Sequence, residues 1–308
     1  DPLGCAGSAS HTLVIGTPVA QGDVVLSEFR WRGPLGAVDE YVEIANRTDH
    51  DIVVSVTDGS AGWSIGRSGT AYAVIPSGTR IPKGGHWFAA GANFSLAAYP
   101  GGATEVGFGD APLLADLPDD LGLALFQTAD PANYDEESRL DSVGGASEDD
   151  PLLFEGERLR ALGHATPAAQ TAWVRVITNL GIPGDTSNNR RDFVFVATDA
   201  GKYGPESDYP AVMGGPNPEA LASPHDALRL VLPDSLVDPT RGPNQTPNRA
   251  VVPGTPGSIS YRRTFTNQTG LDITRLRFKV IGLTTRNSRR TLAVQADAFH
   301  IEHHEFIH

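Results

Sequence analysis

Apolar side chains recur at every second position over short stretches that glycine and proline interrupt. Val24-Val-Leu-Ser-Glu-Phe-Arg-Trp reads as a strand, and Glu40-Tyr-Val-Glu-Ile-Ala alternates in period two. Asp51-Ile-Val-Val-Ser-Val, Trp63-Ser-Ile, Ala71-Tyr-Ala-Val-Ile, His86-Trp-Phe-Ala-Ala and Gly122-Leu-Ala-Leu-Phe continue the series. Turn chemistry separates them at Pro76-Ser-Gly, Pro82-Lys-Gly-Gly and Pro118-Asp-Asp. Arg158 to Leu162 offers one helical turn at most. A small, polar stretch, Ala165-Thr-Pro-Ala-Ala-Gln-Thr, reads as a boundary. Beyond it stand Trp173-Val-Arg-Val-Ile, Asp192-Phe-Val-Phe-Val-Ala, Leu228-Arg-Leu-Val-Leu, Ser258-Ile-Ser-Tyr, Thr274-Arg-Leu-Arg-Phe and Thr291-Leu-Ala-Val-Gln-Ala.

Short strands with this punctuation predict an all-β chain of two β-sandwich domains. The expected division is an N-terminal extension or exchanged strand over 1–21, a first sandwich over 22–165, and a second over 172–308. The second ends in a strand-like, histidine-rich tail. The length of 308 residues suits two domains, and 40% hydrophobic residues suffice for real cores.

The formal charge of −13 argues against a phosphate-rich partner, so no nucleic acid is expected. Lysine appears only at Lys83, Lys202 and Lys279, which leaves little scope for isopeptide cross-links. Cys5 is the one cysteine, so no internal disulfide forms, and an intermolecular bridge is its candidate role. No run approaches the ~18 apolar residues of a membrane span. The chain opens at Asp1 without a leader, which is expected of a product exported to the cell surface or medium after removal of its signal.

Several segments, taken in order, resemble the bacterial lamin tail domain. These are Val24-Val-Leu-Ser-Glu-Phe, Asp39-Glu-Tyr-Val-Glu-Ile-Ala-Asn, Trp63-Ser-Ile, Ile81-Pro-Lys-Gly-Gly-His-Trp, Asp120-Leu-Gly-Leu-Ala-Leu-Phe, Leu140-Asp-Ser-Val-Gly and Phe154-Glu-Gly. The second half resembles the β domain that follows such domains in exported proteins of environmental bacteria. Its carrying segments are Asp185-Thr-Ser-Asn-Asn-Arg-Arg-Asp-Phe, Gly214-Gly-Pro-Asn-Pro and Arg262-Arg-Thr-Phe-Thr-Asn-Gln-Thr-Gly. The resemblance implies an immunoglobulin-like first sandwich and a binding or scaffolding role.

Candidate chemistry is sparse. His300, His303, His304 and His308 in the tail could bind zinc through imidazole, or simply lie on a solvated last strand. Asp185, Asn188 and Asp192 gather oxygen donors suited to calcium in a loop that also reads as ordinary turn material. Neither metal is expected to be required. Glu40 and Glu43 fall on opposite faces of their strand, which excludes a glycosidase pair. No phosphate-cradling glycine loop stands in the sequence. Trp31, Trp63, Trp87 and Trp173 are core candidates first and a carbohydrate platform second. Asn46, Asn93, Asn244 and Asn267 head glycosylation sequons, which would mark surface loops.

Two readings of function follow. The first is a non-enzymatic extracellular structural protein that pairs with copies of itself, head to tail, into a filament or layer through its termini. The second is a secreted module that binds polysaccharide or another envelope component through loops and exposed tryptophans.

Overall fold

The alternating runs become strands, and their shared apolar faces decide which strands meet. The computed structural model describes residues 18–95, 109–161, 167, 169–178, 182–197, 211–213, 216, 218–223, 249–251 and 259–261. In chain order the strands are β1 (Val24–Arg30), β2 (Tyr41–Asn46), β3 (Ile52–Val53), β4 (Gly62–Arg67), β5 (Thr70–Pro76), β6 (Arg80–Ile81), β7 (His86–Ala90) and β8 (Ala111–Pro112). They continue with β9 (Gly122–Phe126), β10 (Arg139–Gly144), β11 (Thr171–Arg175), β12 (Phe193–Ala197), β13 (Val212–Met213), β14 (Arg249–Val251) and β15 (Ile259–Tyr261). A four-residue helix, α1 (Asn189–Asp192), precedes β12.

Two sheets make the body, and the fold is all-β. The larger sheet runs β13-β12-β11-β1-β2-β7-β8, and the smaller runs β10-β9-β4-β5. Val24, Leu26, Phe29, Val42, Ile44, Trp87, Trp173 and Phe195 of the first face Trp63, Ile65, Ile75, Leu123, Leu125 and Val143 of the second. That shared core makes a sandwich. All four tryptophans are buried, three of them at 1% exposure, so none serves as an exposed sugar platform.

The central strands depart from the half-exposed pattern that their alternation suggests. Every residue of β1 and β2 is buried. The outer face of the larger sheet carries a second apolar layer of Tyr41, Phe88, Phe94, Ala172 and Val196, with Ala220 packed against it. A bulge at Ser27, where the β1–β2 register shifts, keeps Phe29 on the same side as Leu26. Without that extra residue, Glu28 and Arg30 would point between the sheets.

The expected boundaries need two corrections. Residues 171–197 do not open a separate sandwich, because β11 pairs with β1 and β12 pairs with β11 in the first sheet. The strands on the two sides of the expected boundary therefore belong to one body. Nor is 1–21 wholly an extension. Val19 packs on the core, its carbonyl accepts from Gln127 at 3.0 Å, and Gly22 N–H donates to Leu140 O at 2.9 Å. Most of the expected second domain, 198–308, lies outside the described residues; within it β14 pairs antiparallel with β15. No helix among the described residues is long and apolar enough to cross a membrane.

Candidate functional site

Buried charged side chains gather at the end of the sandwich, on the outer face of the larger sheet and behind the loop after β1. β1 meets β11 only at Glu28 and Phe29, so the Leu26 backbone has no strand partner on that side. Leu26 N–H donates to Asp141 Oδ2 at 2.7 Å, and Arg175 Nε donates to Leu26 O at 2.7 Å. Arg175 closes the ring by donating to Asp141 Oδ2 at 2.5 Å. One ion pair thus stands in for a missing stretch of ladder. The Arg175 guanidinium also lies 4.6 Å from the Phe193 ring centre.

Around this pair the sandwich end collects more acid than base. Asp185 sits 3.4 Å from Arg47 and 3.6 Å from Arg175, and Asp192 sits 3.5 Å from Arg175. Glu155, on the turn after Pro151–Leu153, has no ion pair among the described residues. Burial, then the charges of Asp141 and Asp185, push its carboxyl up to about 8. Gly22 closes the cluster at a φ of +80°, where a Cβ would meet Asp185 Oδ2 at 2.7 Å.

The loop expected to hold calcium is spent on structure. Asn188 caps α1, its side chain accepting from Arg191 N–H. Asp192 accepts from Thr186 N–H, at 2.9 and 3.0 Å, and from the Thr186 hydroxyl at 2.7 Å. Of that trio, Asp185 alone is grouped with Asp141 and Glu155. Asn189, on the same turn, seals the edge of β10. Its amide donates to Ser142 O at 2.8 Å, and its oxygen accepts from Gly144 N–H at 3.0 Å.

The second cluster lies on the outer face of the larger sheet. Glu43 accepts from Ser27 Oγ and from Glu219 N–H, and it contacts His86 Nδ1 at 3.0 Å. His86 Nε2 lies 2.9 Å from Glu219. Burial alone would lower the imidazole, but the two carboxylates win and push it up to about 9, so it is a cation at neutral pH. The hydroxyl of Ser27 is bonded to the carboxylate rather than to the imidazole. The carboxylate therefore separates nucleophile from base, the reverse of a hydrolase triad.

The third cluster clamps the loop after β1. Arg30 donates to Asp39 O at 2.8 Å, to the Asp39 carboxylate and to Gln170. Asp39 also accepts from Leu35 and Ser95 N–H, both at 3.0 Å. Nearby, burial pushes Glu40 up to about 8, helped by Asp116 and Asp119 and opposed by the Leu117 N–H.

Of the sequons, Asn46 is a correction. It is 1% exposed, and its amide donates to the carbonyls of His50, Ile81 and Pro82. Asn93 is exposed. Cys5, Asn244, Asn267, His300, His303, His304 and His308 lie outside the described residues. Sequence reasoning missed Glu43, His86, Asp141, Glu155 and Arg175. Charges inside otherwise apolar runs were the available signal. No protein-family model, curated protein or solved structure matches the chain.

Proposed function

We propose that this chain is a non-enzymatic extracellular structural module that joins copies of itself, head to tail, into a filament or layer through the segments flanking its sandwich. The observation that carries this reading is how the sandwich closes its own edges. Asn189 occupies the edge of β10. Leu159 N–H and Gly22 N–H take the carbonyls of Gly144 and Leu140. The larger sheet ends in two-residue strands, β8 and β13, too short to template a partner. Tyr72 O on β5 is met by Leu114 N–H. A body whose edges are shortened or partly covered in this way is a poor template for random stacking, which leaves ordered pairing to the flanking segments. The buried charges serve the same end by fixing register, and the resemblance to the bacterial lamin tail domain agrees with a scaffolding role.

Negative-stain electron microscopy of the full chain, beside a chain lacking residues 1–17, tests the proposal. Regular polymers from the full chain and monodisperse, folded particles from the truncated one are expected. Polymers from both chains, or from neither across a concentration series, would sink it. The truncation spares Val19, which the sandwich needs.

A further inference from the structure

We propose that Asp141, Glu155 and Asp185 form a binding site for one calcium ion at the end of the sandwich. Three separate elements bring them together: β10, the turn after Pro151–Leu153, and the loop leading to α1. One carboxylate oxygen from each lies within 4.8 Å of the other two.

Acidic side chains gather on many surfaces without a ligand; here the hydrogen-bond count adds a second observation. Asp141 is 1% exposed. Its Oδ2 is saturated by Leu26 N–H and Arg175, whereas its Oδ1 is buried without any partner among the described residues. Glu155 Oε2 is likewise buried and unpartnered. Buried carboxylate oxygens without a hydrogen-bond partner are rare, because each forfeits its hydration for nothing in return. Arg175 does not answer them. Its nitrogens are committed to Leu26 O, Gly184 O and the other oxygen of Asp141. The donors on offer are carboxylate oxygens, with no imidazole or thiolate in the group, which selects a hard divalent cation.

The three oxygens lie within 4.8 Å of one another, close enough for one calcium ion, whose ligands stand up to about 5.2 Å apart, to reach them all. Calcium accepts an irregular set of carboxylates from separate elements, whereas magnesium gives up its waters reluctantly and suits such a cage less. The sequence-based set of Asp185, Asn188 and Asp192 is thereby redrawn. Asn188 and Asp192 shape the loop, and Asp185 alone is carried over as a ligand.

The full chain, stripped with EDTA and dialysed, is titrated with calcium chloride by calorimetry and followed by thermal unfolding. Saturation at one ion per chain, with a Kd of about 0.1–1 mM, and a rise in melting temperature are expected. Glu155→Gln removes no ion pair among the described residues and should weaken binding at least about tenfold. Glu157→Gln, on an exposed neighbour, should leave it unchanged. If Glu155→Gln fails to fold by circular dichroism, Asp185→Asn carries the same expectation. No saturable binding to the wild-type chain, or equal binding by the ligand variant, overturns the site. An equal shift with magnesium overturns the assignment to calcium.

Discussion

The outer face of the larger sheet and the open end of the sandwich both bury carboxylates, but they neutralise them differently. On the outer face Glu43 is surrounded by the Ser27 hydroxyl, the His86 imidazolium and the Glu219 N–H. At the sandwich end a single guanidinium completes the β1 ladder, and two buried oxygens have no donor among the described residues. A saturated cluster behaves as a structural fastening, whereas an unsaturated one indicates where something else can bind. The two can be told apart by removing one charge from each.

The largest effect is expected at Arg175. Arg175→Met strands Asp141 and the Leu26 carbonyl, which should cost about 3–5 kcal/mol by urea unfolding. Pairing it with Asp141→Leu should restore much of that loss, since the uncompensated charge goes with it. A single-mutant loss under about 1 kcal/mol would mean that the pair does not substitute for the ladder.

His86 offers a titration instead. Its pKa is raised from 6.5 to about 9 on folding, so its stabilisation is complete below pH 6.5 and fades as pH rises through about 9. The window is worth up to about 3 kcal/mol. Glu40, a buried acid raised to about 8, also loses stability with rising pH, starting from about 4.5. The measurement is therefore the difference between wild type and His86→Gln in urea midpoint across pH 6–10. That difference should shrink towards alkaline pH; a constant gap would show that His86 holds no extra proton.

A third test addresses the sealed edge. Asn189→Ala leaves Ser142 O and Gly144 N–H unpaired, at about 1–3 kcal/mol. It also uncovers β10, so light scattering should report more self-association than in the wild type. Lost stability without added association would show that the edge is protected by something besides Asn189.

These contrasts show how far the sequence could be read. β1, β2, β4, β5, β7, β9, β11 and β12 each fall on an alternating apolar run, because backbone pleat and burial impose that period locally. β10 is harder to see, since Arg139-Leu-Asp-Ser-Val-Gly buries Asp141 and Ser142 within the strand. The β1–β11 pairing joins positions as far apart as Glu28 and Val174, and nothing local marks it. Hence the strands on either side of an expected linker belong to one body. The clusters were illegible for the same reason. Each charge is visible, but Arg175 finds Leu26 across 149 residues and Glu219 finds Glu43 across 176.

The smallest expected effect lies with the sequons, and it separates surface from interior once more. Asn46 and Thr48 close on each other, the asparagine oxygen accepting from Thr48 N–H at 2.9 Å and its hydroxyl at 2.7 Å. With the Asn46 amide also holding three carbonyls, a glycan there is incompatible with the folded chain. Asn93 is exposed, so the chain made in an N-glycosylating host should carry sugar at Asn93 and none at Asn46 by peptide mass mapping. Asn93→Gln should move stability by no more than about 0.5 kcal/mol. Asn46→Gln disturbs a buried network and should cost about 1–3 kcal/mol. Soluble, folded protein modified at Asn46 would contradict the placement of that side chain, and with it the closure of the β2 end against the Ile81–Pro82 turn.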